Sequence, residues 1–105
     1  MSFVKNRLEK DVFSVGFSNR LASGENIVSA TVLVEWAVLY VWNDVTAGVL
    51  SGLPSISSDG KTVQFTLGVA PTAEDQEPGQ YRAFVTAVTS TGRSLVGTVD
   101  LMVTE

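Results

Sequence analysis

Glu74, Asp75 and Glu77 stand close together in the chain, and carboxylate oxygens grouped in this way suit a hard cation such as Ca²⁺. Their spacing matches no EF-hand loop, and acids in a proline-containing loop are more simply read as solvated. Gly60-Lys61-Thr62 ends like a phosphate-cradling P-loop. That motif needs a second glycine five residues earlier, where Ser55 stands, and a helix after it, which the following residues do not pattern. Glu35 and Asp100 are the acids inside predicted strands. A carboxylate pair about 5–10 Å apart in a cleft hydrolyses glycosides, but nothing in the sequence brings these two together. Trp36, Tyr40 and Trp42 fall at even positions, so a single strand would place them on one face. They would serve there as a subunit anchor, a sugar-stacking platform, or core and sheet-edge packing. Only Glu35, Asn43 and Asp44 are polar nearby, which favours protein contact over sugar.

The residues that are missing exclude more. There is no His and no Cys. This removes zinc sites of the usual nitrogen and sulfur kind, thiol nucleophiles and the Ser-His-Asp triad. It also removes the commonest acid–base group near neutral pH. Any activity would rest on carboxylates, Lys, Tyr or a hard metal ion. The expectation is a non-enzymatic protein with no cofactor and no catalytic or metal-binding residues.

Seven basic residues stand against eleven acidic ones, a net charge of −4. Nucleic-acid binding needs a clustered positive face; here Lys5, Arg7 and Lys10 are interleaved with Leu8, Glu9 and Asp11, so none is expected. Charged residues make up 17% of the chain, against about a quarter in an ordinary soluble domain, and the mean hydropathy is +0.24. A small domain so short of charge is expected to cover part of its surface with a partner, as a homo-oligomer. The longest apolar run, residues 36–42, is far short of the about 20 residues that span a bilayer. Residues 1–7 lack the apolar stretch of a signal peptide. The expectation is therefore no membrane partner and assembly in the cytoplasm.

The length of 105 residues suits one domain. Its dominant pattern is period two, rich in Val, Thr, Phe and Ile. Strands are expected at 12–17, at 27–34 with Val28, Ala30, Val32 and Val34 facing the core, at 62–67, at 81–89 and at 94–103. Residues 35–42 have apolar side chains of both parities. They read as a strand buried on both sides, an interface strand or, less well, a buried helical turn. Asn43-Asp44 breaks the run, 45–50 is a short strand or a turn, and 70–79 is a long surface loop. Asp59-Gly60 marks a hairpin with a type I′ turn. About seven strands with turns every 8–12 residues predict an antiparallel β-sandwich over residues 11–105, preceded by an N-terminal arm at 1–10. The arm's Phe3, Val4 and Leu8 precede any recognisable strand and have little to bury them except another subunit.

Glu77-Pro78-Gly79-Gln80-Tyr81 resembles the tyrosine corner of immunoglobulin-like domains, with Ala83 where such a domain would carry Cys. Asp59, Gly60, Gly79, Tyr81 and Gly92 are accordingly the residues expected to determine the fold. The chain as a whole is similar to small immunoglobulin-like phage virion proteins of the fibre–tail adaptor type. The resemblance rests on Ala22-Ser23-Gly24-Glu25-Asn26 leading into Ile27-Val28-Ser29-Ala30-Thr31-Val32, on Leu50-Ser51-Gly52-Leu53-Pro54-Ser55-Ile56-Ser57 and on Val63-Gln64-Phe65. It rests also on Pro78-Gly79-Gln80-Tyr81-Arg82 and on Val88-Thr89-Ser90-Thr91-Gly92-Arg93. In order and spacing these run from about residue 8 to 103.

The resemblance implies an immunoglobulin-like sandwich and a structural role in a bacteriophage particle, joining tail or capsid components. Its partners would be other virion proteins and copies of itself. Contacts are expected through Phe3, Val4 and Leu8, through Trp36, Tyr40 and Trp42, and through Glu74, Asp75 and Glu77. A capsid decoration protein of the same fold, or a carbohydrate-binding adhesin module using the three aromatic residues, are the alternatives.

Overall fold

The computed structural model describes residues 2–6, 10–68 and 79–104, with the backbone alone for Ser2, Asn6 and Val38. These residues form an all-β sandwich. In chain order the strands are β1 (Ser2–Asn6), β2 (Asp11–Gly16), β3 (Ile27–Val38), β4 (Val41–Asp44), β5 (Ser55–Ile56), β6 (Thr62–Leu67), β7 (Gly79–Thr89) and β8 (Ser94–Thr104). One helical turn, α1 (Thr46–Val49), and a 3₁₀ turn at Ser18–Arg20 complete the elements. Five strands form one sheet in the order β1-β8-β7-β3-β4, and three form the other in the order β2-β6-β5. All neighbours are antiparallel except β1, which runs parallel to β8.

Strict alternation builds the core, because successive side chains of a strand point to opposite faces. From the small sheet come Phe13 and Val15 of β2 and Val63, Phe65 and Leu67 of β6, joined by Phe17. From the large sheet come Val32 and Val34, then Tyr81, Ala83, Val85 and Ala87, then Leu95, Val99, Leu101 and Val103. The phenylalanines of one layer require small residues in the other. A Cβ on Gly97 would lie 2.6 Å from Val15 Cγ1 and 3.3 Å from Phe17 Cζ, so β8 carries glycine where Val15 and Phe17 leave no room for a side chain.

The structure changes three expectations about strands. Residues 2–6 of the expected arm are a sheet strand, paired with β8 from Ser2↔Asp100 to Asn6↔Thr104. The arm's own alternation explains this: Phe3 and Lys5 lie beside the inward Leu101 and Val103, and Lys5 is buried. Second, the register slips between Ile27 and Ser29, so Ile27 turns inward and Val28 outward, 60% exposed; Val32 and Val34 keep their core places. Third, residues 35–42 are not one strand. β3 ends at Val38, Leu39 and Tyr40 reverse the chain, and β4 carries Asn43 and Asp44 within it. Of the two readings for residues 45–50, a short strand or a turn, the structure has the turn, helical over Thr46–Val49, with Asp44 accepting hydrogen bonds from the Thr46 N–H (3.0 Å) and hydroxyl (2.7 Å).

The Asp59-Gly60 hairpin is present, joining β5 to β6, but not through a type I′ turn. Gly60 donates to the Ser57 carbonyl at 2.9 Å and has a φ of +71°, whereas Asp59 is not in the left-handed region. Among the described residues only Leu39 (φ +51°) and Tyr40 (φ +66°) hold a side chain at positive φ. The type I′ signature thus belongs to a Leu-Tyr pair, where Asn-Gly would be the relaxed choice.

Candidate functional site

The outer face of the five-stranded sheet gathers chemistry that the inner face does not use. Strand pairing sets it out in rows. Glu35 lies opposite both Asp44 and Arg82, and Arg82 lies opposite Asp100. In the next row Leu33 pairs with Phe84, and Phe84 with Thr98. On the other side Gln80 pairs with Met102, and Met102 with Val4. Each residue is here by parity: its chain neighbours Val34, Tyr81, Ala83, Leu101 and Val103 point into the core.

Arg82 is the centre of this face. Its Nε donates to Glu35 Oε1 at 2.8 Å. Its guanidinium carbon lies 3.9 Å from the Trp42 ring centroid and 5.1 Å from that of Phe84. A cation held against two rings and one carboxylate is fixed in place, and the cation–ring contact is worth about 0.5–1 kcal/mol where exposed. Around it Leu33, Val96, Met102 and Val4 are exposed, Val4 to 75%. Towards the β1 edge, Phe3, Val4, Gln80, Asp100, Leu101 and Met102 line a groove of about 250 Å³. The Phe3 ring meets Phe13 edge-on at 5.1 Å, while its outer side remains open.

Trp36, Tyr40 and Trp42 do not share a face. Trp36 pairs with Asn43, and Trp42 with Ala37, so the hairpin puts the two indoles on opposite sides of the sheet. Trp36 turns inward and stacks on Tyr81 with centroids 6.1 Å apart, whereas Trp42 lies outside beneath Arg82. Tyr40 sits at the hairpin tip, 102% exposed beside Leu39 at 88%. The reversal at 39–40 undoes the even-position pattern, and with it the three-ring sugar platform.

Leu8, Glu74, Asp75 and Glu77 lie outside the described residues. Glu35 and Asp100 are on the same face after all, two strands apart with Arg82 between them. Arg82, Phe84, Leu33 and Met102 were not singled out from sequence; the signal for them was the outward parity of β7, where Arg82 and Phe84 flank the buried Ala83.

The residues expected to determine the fold occupy constrained places. Asp59 accepts from the Ser57 hydroxyl and from the Lys61 N–H at 3.1 Å, and these bonds, the Ser57 one foremost, hold its carboxyl below the usual range. A Cβ on Gly60 would stand 2.9 Å from the Asn26 Cβ, and one on Gly79 2.9 Å from Trp36 Nε1. Gly92 has a φ of +86°, and Tyr81 is buried.

A second polar cluster, also unanticipated, lies at the β7–β8 turn. Glu25 is buried and accepts hydrogen bonds from the Ala22 N–H (2.8 Å), the Thr89 hydroxyl (2.6 Å), the Thr91 hydroxyl and two nitrogens of Arg93. Arg93 foremost, then the two threonines and the Ala22 N–H, hold the Glu25 carboxyl far below its ordinary value. Arg93 also donates to the Arg20 carbonyl at 2.8 Å. Every acceptor position is taken by the protein itself, so this cluster is a staple between loops and not an open site.

The sequence matches no protein-family model and no curated protein.

Proposed function

We propose that the chain is a non-enzymatic structural protein of a bacteriophage virion, an immunoglobulin-like module that joins tail and fibre components as an adaptor in a symmetric assembly. It works in the particle after assembly in the host cytoplasm, with copies of itself and other virion proteins as partners.

The observation that carries this reading is the outer sheet face. A cation clamped between Trp42, Phe84 and Glu35, ringed by exposed Leu33, Val96, Met102 and Val4, has the make-up of an interface centre: aromatic and Arg anchors with apolar surroundings. The strand order supports the immunoglobulin-like part. Immunoglobulin sandwiches set the second, fifth and fourth strands of the fold against a sheet built on its last two strands and the third; β2-β6-β5 against β8-β7-β3 is consistent with that plan. The separation of Trp36 from Trp42 weighs against the sugar-binding alternative.

Mass spectrometry of purified particles tests the reading. The chain is expected in fixed, repeated copy number, and deletion of its gene is expected to leave tails without fibres. Normal infectious particles that lack the chain would overturn the proposal.

A further inference from the structure

Two features stand on opposite edges of the five-stranded sheet. At the β4 edge is the tip formed by Leu39 and Tyr40. Both backbones are left-handed, a conformation that costs a side-chain-bearing residue roughly 1–2 kcal/mol. Asn-Gly would remove that cost, yet the tip holds two apolar side chains almost wholly in water. No packing among the described residues explains their presence there. At the β1 edge is the groove of about 250 Å³, with Phe3, Val4, Leu101 and Met102 as its apolar lining and Gln80 and Asp100 as its polar groups.

The two match in chemistry. A phenol ring needs apolar walls and a hydrogen-bond partner for its hydroxyl. The groove supplies both, with the Asp100 carboxylate or the Gln80 side-chain carbonyl as acceptor. They match in placement too. Trp36 pairs with Tyr81, and Gln80 with Met102, so the hairpin begins at the same level along the strands as the groove, whose Phe3 and Val4 side lies at the far edge of the sheet. Tyr40 is fully exposed, so the tip does not fill the groove of its own molecule. Tip and groove can meet between successive molecules, and such a heterologous contact repeats as a closed ring or an open filament.

Building on the reading of the chain as a repeated assembly component, we infer that Tyr40 of one copy seats in the Phe3–Met102 groove of the next, linking copies head to tail. The occupant of the groove is thus a second copy of this chain.

The full chain has no cysteine, which makes cross-linking clean. Leu39→Cys with Val4→Cys, oxidised mildly, is expected to give a ladder of covalent multimers; adding Tyr40→Ser is expected to erase it. In sedimentation, Tyr40→Ser or Met102→Glu alone is expected to weaken self-association roughly thirtyfold, as loss of a central anchor does. Mixed, the two variants retain one intact tip and one intact groove, and are expected to form dimers but nothing larger. Circular dichroism checks that each variant stays folded. A wild-type monomer at all concentrations, undiminished association in Tyr40→Ser, or no dimer in the mixture would each overturn the inference. A chain found in particles but giving no ladder would sink this contact and leave the adaptor reading standing; a ladder from a chain absent from particles would do the reverse.

Discussion

The two hairpin turns of the five-stranded sheet solve the same problem in opposite ways. Between β7 and β8, Gly92 takes the left-handed position, its N–H bonds to the Thr89 carbonyl, and the Thr89 N–H bonds to the Arg93 carbonyl. Glu25 then reaches in from the β2–β3 connection and ties down Thr89, Thr91 and Arg93. Between β3 and β4, Leu and Tyr occupy left-handed backbone and project away from the chain. One turn spends its residues on holding still. The other carries strain and leaves its side chains in water. Left-handed backbone given to glycine turns the chain without strain; the same backbone given to Leu and Tyr carries strain where both side chains lie in water.

The largest expected effect lies at the tied end. Glu25→Ala strands the Arg93 guanidinium, two hydroxyls and the Ala22 N–H without their shared acceptor, and should lower the urea midpoint more than any replacement at the β3–β4 tip. Glu25→Gln sharpens the cause. Because the folded carboxyl titrates far below its ordinary value of 4.5, the unfolded chain takes up the proton first as pH falls. The wild-type contribution is therefore complete above about pH 4.5 and drains away below it. Denaturation midpoints against pH should show that acid slope in the wild type and a flatter one, from a lower start, in Glu25→Gln. An equal slope in both would show that Glu25 is not the group responsible.

Next in size, Gly97→Ala should cost about 1–3 kcal/mol, because its methyl meets Val15 and Phe17 in the packed core. The tip should move the other way: Leu39→Asn with Tyr40→Gly should raise stability by about 1–2 kcal/mol, since it supplies the residues a type I′ turn prefers. A loss of stability there would mean that the side chains are held by the fold rather than displayed by it. The smallest effect is expected at Arg82→Met, about 0.5–1 kcal/mol in thermal unfolding, while its effect on assembly should be far larger.

Alternation made the sandwich readable. β6 and β8 show their inward faces directly in the sequence, as Val63, Phe65 and Leu67 and as Leu95, Val99, Leu101 and Val103. What alternation does not encode is a slip or a reversal. The bulge near Val28 changes parity without a glycine or proline to announce it. The Leu39-Tyr40 turn carries no turn residue at all, so the aromatic run read as one face when it folds onto two. The outer sheet face was half legible: Trp42 and Val4 by their types, Arg82 and Phe84 only once β7 is laid beside β3. Glu25 was hidden because its side-chain partners lie more than sixty residues away in the chain, and sequence distance says nothing about which loops meet.

The parallel pairing of β1 with β8 has a mechanical consequence. Ser2 lies beside Asp100 and Asn6 beside Thr104, so a pull on residue 2 and an opposite pull on residue 104 slide the two strands past each other along their length. The whole ladder between them then bears the load at once instead of opening bond by bond, as a hairpin peeled from its free end would. A module so built resists stretching along its long direction, a property suited to a coupling under tension.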